Sequence, residues 1–160
     1  MAQTIVQVAG RAGRAEKPGE VVIQTRHIEH PALSRLIACS YEEYALEILK
    51  ERAQSHMPPF AHLALLRIES RFADRGFKCA NQFFTSAQEI VRTNGKVELI
   101  GPLPAPMEKR AGRHRFQIHV KSDSRPALQH FLQNFVAQIE GAKLPAQTRW
   151  ALDVDPQDLI

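Results

Sequence analysis

The chain has 160 residues, 44% of them hydrophobic and 24% charged, the proportions of a folded domain rather than of a disordered chain. Its length suits one ordinary domain, or one small domain plus a fragment of another. The net charge of +4 points to an anionic partner only where it is concentrated. The longest apolar runs, such as residues 63–68, fall far short of the roughly 20 residues of a membrane span, and no basic-then-apolar leader opens the chain. A cytoplasmic protein with no membrane partner is expected. Cys39 and Cys79 stand alone, without a CxxC pair or ligand-spaced histidines, so no disulfide framework or zinc site is supported, and both are expected as buried small hydrophobes.

Near the front, Ile5, Val6 and Ala9 have the spacing of a helix tail, which Gly10 and Gly13 then end. After a turn at residues 16–20, the β-rich run at 21–25, VVIQT, is expected as a short buried strand. Residues 30–39 and 41–55 read as helices. In the second, Tyr41, Tyr44, Ala45, Ile48 and Leu49 share one face, with Glu42, Glu43, Glu47, Lys50 and Glu51 outside it. Pro58 and Pro59 stop that helix, and a boundary at about 58–61 divides the chain into residues 1–60 and 61–160.

A different rhythm follows. HLALLRIES, residues 62–70, is a strand candidate, and Phe77, Ala80, Phe83, Phe84, Ala87, Ile90 and Val91 form an apolar helix face before the turn TNGK. Residues 97–100 are a second strand, and the proline- and arginine-rich stretch after them is expected as a long middle loop. Phe116, Ile118 and Val120 alternate with Gln117, His119 and Lys121, the period of a half-buried strand. Leu128, Phe131, Leu132, Phe135, Val136 and Ile139 give another helical stripe, and Trp150, Leu152 and Val154 alternate in a last strand. The order β-α-β-β-α-β implies an α+β fold of the ferredoxin-like sandwich type, four strands with two helices on one face.

Two stretches carry chemistry. Gly10, Arg11, Gly13 and Arg14 combine permissive backbone with two charged forks three residues apart, able to meet one phosphate. A plain solvated glycine-arginine loop fits those residues equally well. No GxxxxGK[ST] cradle accompanies them. In the second stretch, EKRAGRHR, arginines entering a strand can line its solvent face and meet a nucleic-acid backbone, with Phe116 or His114 available for stacking. Residues 102–125 hold Lys109, Arg110, Arg113, Arg115, Lys121 and Arg125 against Glu108 and Asp123, so six cations over two carboxylates equal the whole surplus of four. A solvated charge run is the bland alternative, with Arg113 and Arg115 on a loop or a strand edge. The seven histidines show no metal spacing, and DVDPQD near the end is assigned no metal.

Gln7, Gly10, Arg11 and Arg14 resemble the sixth motif of superfamily 2 helicases. The longer string QVAGRAGRAEKPGEVVIQT, with EHPAL, LKERAQSHMPPF, IGPLPAPMEKRAGRHRFQI and RWALDVDP in the same order, is similar to the C-terminal third of the primosomal replication-restart helicases. That resemblance covers essentially the whole chain. It implies that residues 1–60 are the C-terminal part of a RecA-like lobe, preceding a ferredoxin-like domain at 61–160. It further implies that Gln7, Gly10, Arg11 and Arg14 face ATP, with Arg11 and Arg14 catalytic and Arg14 the leading candidate for an arginine finger. ATP and Mg²⁺ would be the cofactors of the complete protein, in which hydrolysis drives 3′ to 5′ movement on DNA. The phosphate-cradle lobe, the Mg²⁺ motif, the family's zinc ligands and the N-terminal DNA-binding domains have no counterpart here, as in a truncated reading frame or an excised fragment. The implied partners are forked or single-stranded DNA at Lys109, Arg110, Arg113 and Arg115, the acidic tail of single-stranded-DNA-binding protein at Arg125, and other primosome proteins. Alternative readings are a stand-alone nucleic-acid-binding module resembling a small-subunit ribosomal protein, and a metabolite-binding regulatory domain, against which the concentrated arginines argue.

Overall fold

A computed structural model describes residues 2–12 and 20–157, which divide by their contacts into Met1–Gln54 and Ser55–Ile160.

The first unit is helical. Helix α1, Ala2–Ala9, ends where Gly10 donates to the Val6 carbonyl at 2.9 Å. Helix α2, Pro31–Ala38, starts on a proline, whose missing N–H costs nothing in a first turn, and His30 Nδ1 accepts from the Ala32 amide at 3.2 Å. Helix α3, Tyr41–Gln54, begins with a capping box: Ser40 Oγ accepts from the Glu43 amide, and the Glu43 carboxylate accepts from the Ser40 amide and hydroxyl at 3.0 Å each. Those bonds hold the Glu43 carboxyl below its ordinary pKa. The expected strand at 21–25 does not form: the segment has no regular secondary structure, and Val22 is 84% exposed. β-Propensity without a neighbouring strand to complete the ladder yields no sheet. Cys39, expected inside, is exposed.

The second unit is built on four strands and two long helices. Strand β1, His62–Ser70, leads to helix α4, Ala73–Asn94, which ends on Gly95 at φ 57° with its amide on the Val91 carbonyl. Strand β2, Glu98–Arg110, turns back through Ala111 and Gly112 into strand β3, Arg113–Ser122; helix α5, Arg125–Glu140, and strand β4, Thr148–Val154, complete the chain. All pairings are antiparallel, in the order β2-β3-β1-β4. β1 and β2 therefore run the same way with β3 between them, and β3 and β4 with β1 between them.

The expected middle loop is instead the second half of β2. Prolines read as loop, but β2 is an edge strand, where a residue without an N–H removes no interior ladder bond. Register shifts between Ile100 and Leu103 and between Pro104 and Lys109 absorb the irregularity. Gly101 is required there: at φ 132° a Cβ would stand 2.8 Å from the Gln117 carbonyl oxygen.

One face of the sheet carries the core. Alternate residues of β1 and β3, namely Ala64, Leu66, Ile68, Ile118 and Val120, pack with Ala80, Phe83, Ala87 and Ile90 of α4 and Leu128, Phe131, Phe135 and Ile139 of α5. Both helical stripes read from the sequence face this core, apart from Phe77, which is 47% exposed, and Val136, which is only partly covered. Trp150 meets Phe83 edge-on at 6.4 Å. Cys79 is buried as expected, which pushes its thiol pKa up.

Candidate nucleic-acid interface

The tip of the β2–β3 hairpin gathers the basic stretch. Lys109 pairs across the ladder with His114, and Arg110 with Arg113. Ala111 and Gly112 close the turn at φ 48° and 74°, the two positive angles that a two-residue hairpin needs. Lys109 and Arg110 are exposed, and neither makes an ion pair among the described residues.

The other two arginines are not on a loop or a sheet edge, since β3 lies between β2 and β1. Arg113 is partly buried, and its guanidinium donates to the Gln147 carbonyl at 3.0 Å. Arg115 has a side chain only 7% exposed, with Nε 3.5 Å from Glu69 Oε1. Glu69 also accepts two bonds from Arg149, at 3.0 and 2.7 Å. Phe116, expected to be available for stacking, belongs to the helix side: its ring lies 5.7 Å from that of Phe77, and a Cβ on Gly76 would come within 2.7 Å of it.

Opposite the helices, the sheet face is a layer of charge pairs over the buried Leu63 and Leu65. Besides the Glu69 cluster it contains Arg67 with Asp153 at 2.6 Å and Lys121 with Glu98 at 2.6 Å. His119, opposite Leu65 and Ile100, has its pKa lowered by desolvation and secondarily by Arg67. Arg125, at the start of α5, donates to Asp155 at 3.0 Å, with both side chains well exposed. Asp153 and Asp155 of DVDPQD are thus both engaged by arginines, and the described residues hold no cluster of three or more metal-ligating side chains.

Three of the six cations in residues 102–125, namely Arg115, Lys121 and Arg125, therefore face carboxylates contributed from elsewhere in the sequence. Conversely, the structure adds cations that the local count missed. Ser70 pairs with both His114 and Thr148, so the turn after β1 lies at the hairpin's end of the sheet. Exposed Arg71 and Arg75 follow it immediately, with Arg75 over the Phe72 ring at 4.4 Å.

In the first unit, Gln7 and Gly10 are exposed on α1 and the turn after it, and Arg11, also exposed, places its amide on the Val8 carbonyl at 3.1 Å. Arg14, the proposed finger, and Gly13 lie outside the described residues. A cavity of about 450 Å³ in this unit is lined by Ile5, Ile23, Leu33, Leu36 and Tyr44, with His27 and His30 among its polar groups.

No helix among the described residues is long and apolar enough to cross a membrane. The described residues thus form a helical unit and a four-stranded antiparallel α+β unit with a basic hairpin at one end of its sheet. The profile of the family described as the primosomal protein N C-terminal domain matches residues 53–157, and the chain belongs to that family. It is 43% identical to the replication restart protein PriA of Haemophilus influenzae over 99% of this chain and 21% of that protein. To the PriA of Synechocystis it is 31% identical, over 96% of this chain and 18% of the relative. The chain thus spans about a fifth of the length of these relatives. Among solved structures, a de novo designed protein aligns over 61% of this chain and 99% of its own at 13% identity, with a TM-score of 0.43, too distant to carry an argument.

Proposed function

We propose that this chain is the nucleic-acid- and partner-binding C-terminal region of a replication-restart helicase, with the β2–β3 hairpin as its contact to the backbone of forked or single-stranded DNA. The observation that carries the reading is the pair Lys109 and Arg110, exposed at a tight hairpin tip without an ion pair among the described residues. Cations without an intramolecular carboxylate can neutralise phosphates and release the counterions condensed on the nucleic acid. The order β-α-β-β-α-β with the sheet order β2-β3-β1-β4 supports reading the second unit as ferredoxin-like. The family membership supports replication restart in the cytoplasm as the setting.

In the complete protein, Gln7, Gly10, Arg11 and Arg14 would form the arginine side of an ATP site. Guanidinium groups suit the charge that develops on a transferring phosphoryl group. The exposure of Arg11 at the end of α1 fits that role, and the Mg²⁺ and phosphate-cradle groups would come from residues outside this chain. In full-length protein, Arg14→Ala should lower ATP turnover by about 10³-fold while sparing DNA affinity. Arg125 is the proposed contact for the acidic tail of single-stranded-DNA-binding protein. Its present partner Asp155 is itself exposed, so a tail carboxylate can replace it at small cost.

The direct test is salt-dependent binding of forked DNA by the chain as it stands. Lys109→Ala with Arg110→Ala should flatten the slope of log affinity against log salt by roughly 1.5, from 0.7 to 0.9 for each contact, for every DNA sequence alike. An unchanged slope in the folded double variant would leave the hairpin as a solvated turn.

A further inference from the structure

The cations of the hairpin have neighbours. Arg75, Lys78 and Gln82 lie along one stripe of α4 at helical spacing, where side chains three and four apart stand side by side. Across a cleft of about 490 Å³ they face Lys143, Leu144 and Pro145 of the loop that joins α5 to β4. Three cations and no carboxylate line the space. None of the three makes an ion pair among the described residues, whereas Arg67, Arg115, Lys121, Arg125 and Arg149 of the same unit all do.

We propose that this cleft is a second phosphate-binding site for the nucleic-acid backbone, continuous with the hairpin; it rests on the DNA reading above. The loop that carries Lys143 also carries Gln147, whose carbonyl accepts from Arg113 of the hairpin at 3.0 Å, so one loop borders both basic surfaces. Its position is fixed on the other side by Leu144, which packs against the core. The Arg75 guanidinium carbon stands over the Phe72 ring, 4.4 Å from its centroid, which holds the guanidinium in place while leaving N–H groups to donate. Lys78 and Lys143 supply mobile point charges on either wall. A nucleic-acid backbone is favoured over an acidic peptide because the loop that lines the cleft also meets the basic hairpin, through Gln147 and Arg113, so that successive phosphates of one strand can reach both cationic surfaces.

The test uses the full chain, a fluorescently labelled forked duplex and a salt titration. Arg75→Gln, Lys78→Gln and Lys143→Gln combined should flatten the salt slope by about 2 to 3, again 0.7 to 0.9 for each phosphate released. That loss should add to the loss caused by Lys109→Ala with Arg110→Ala, since the two sites touch different phosphates. If the triple variant does not fold, Lys143→Gln alone, on an exposed loop, should still lower the slope by 0.7 to 0.9. An unchanged slope in the folded triple variant overturns the cleft while leaving the hairpin reading intact. So does loss of binding to an Asp- and Glu-rich peptide with the DNA slope retained, which would make the cleft a peptide site. Absence of any salt-dependent DNA binding by the unaltered chain would defeat the DNA reading itself.

Discussion

The two units use the same kinds of residue to opposite effect. In Ser55–Ile160, Leu66, Ile68, Ile118, Phe131 and Phe135 are completely buried between one sheet face and two helices. In Met1–Gln54, no described residue is buried, and Val22, Ile28 and Ile37 are 84%, 76% and 68% exposed. Yet α3 has the apolar stripe of a core helix, with Tyr44, Ala45 and Ile48 only partly covered. Periodicity tells which side chains favour cover, but not whether the chain supplies it. A helix gains most of its stability from packing an apolar face, so the second unit holds the stability of this chain and the first contributes surface.

The sharpest way to break that contrast is to cut the same kind of side chain from each unit. Phe131→Ala should cost about 3 to 5 kcal/mol, the penalty of a cavity in a closed core, and should shift the urea midpoint accordingly. Leu46→Ala, at a position 52% exposed, should stay within about 0.5 kcal/mol. A comparable loss from Leu46→Ala would mean that the first unit folds cooperatively with a core of its own.

How far the sequence spoke follows the same line. Both helical stripes of the second unit and the last strand were legible because each turns one face to the core and burial imposes its period on the residues, whereas the strand at 62–70, buried on both faces, was legible as a nearly continuous apolar run. β2 was half legible, since a proline-rich edge strand and a loop have the same composition; only the pairing with β3 separates them. The strand expected at 21–25 failed because propensity does not provide a partner. The arginines were legible as a charge surplus but not as a surface. Glu69, Glu98 and Asp155, distant in sequence, neutralise half of them through sheet register and helix placement, while Arg75, Lys78 and Lys143, lost in balanced segments, come together in space. The apolar spacing of residues 41–55 did not disclose the capping box at Ser40 and Glu43, which marks the start of α3.

A second prediction sharpens the account of the closed unit by asking whether its charged sheet face is as structural as its apolar one. Arg115→Ala removes a side chain that is 7% exposed and leaves Glu69, itself 22% exposed, with Arg149 alone. The expected loss is about 1 kcal/mol, from the buried stem of Arg115 and its ion pair, since Glu69 keeps both bonds from Arg149, read as a lower urea midpoint. Arg110→Ala, at the exposed hairpin tip, should leave that midpoint where it is. Equal behaviour of the two variants would return Arg115 to the solvent and reopen it as a DNA contact.

The smallest effect concerns His119 on the same face. Desolvation, reinforced by Arg67, lowers its pKa in the folded state, so the unfolded chain takes up the proton first as pH falls. Stability from this residue is therefore complete above the ordinary imidazole value near 6.5, declines as pH falls through it, and levels off below the depressed folded value. Between pH 8 and 5 the melting temperature should drop, and His119→Gln, which keeps a polar side chain of similar length without a titrating ring, should drop less by the share that His119 carries. A wild-type profile that His119→Gln leaves unchanged would mean that the imidazole is hydrated in both states, and that the face beside Arg67 is open to water rather than a closed second layer of the domain.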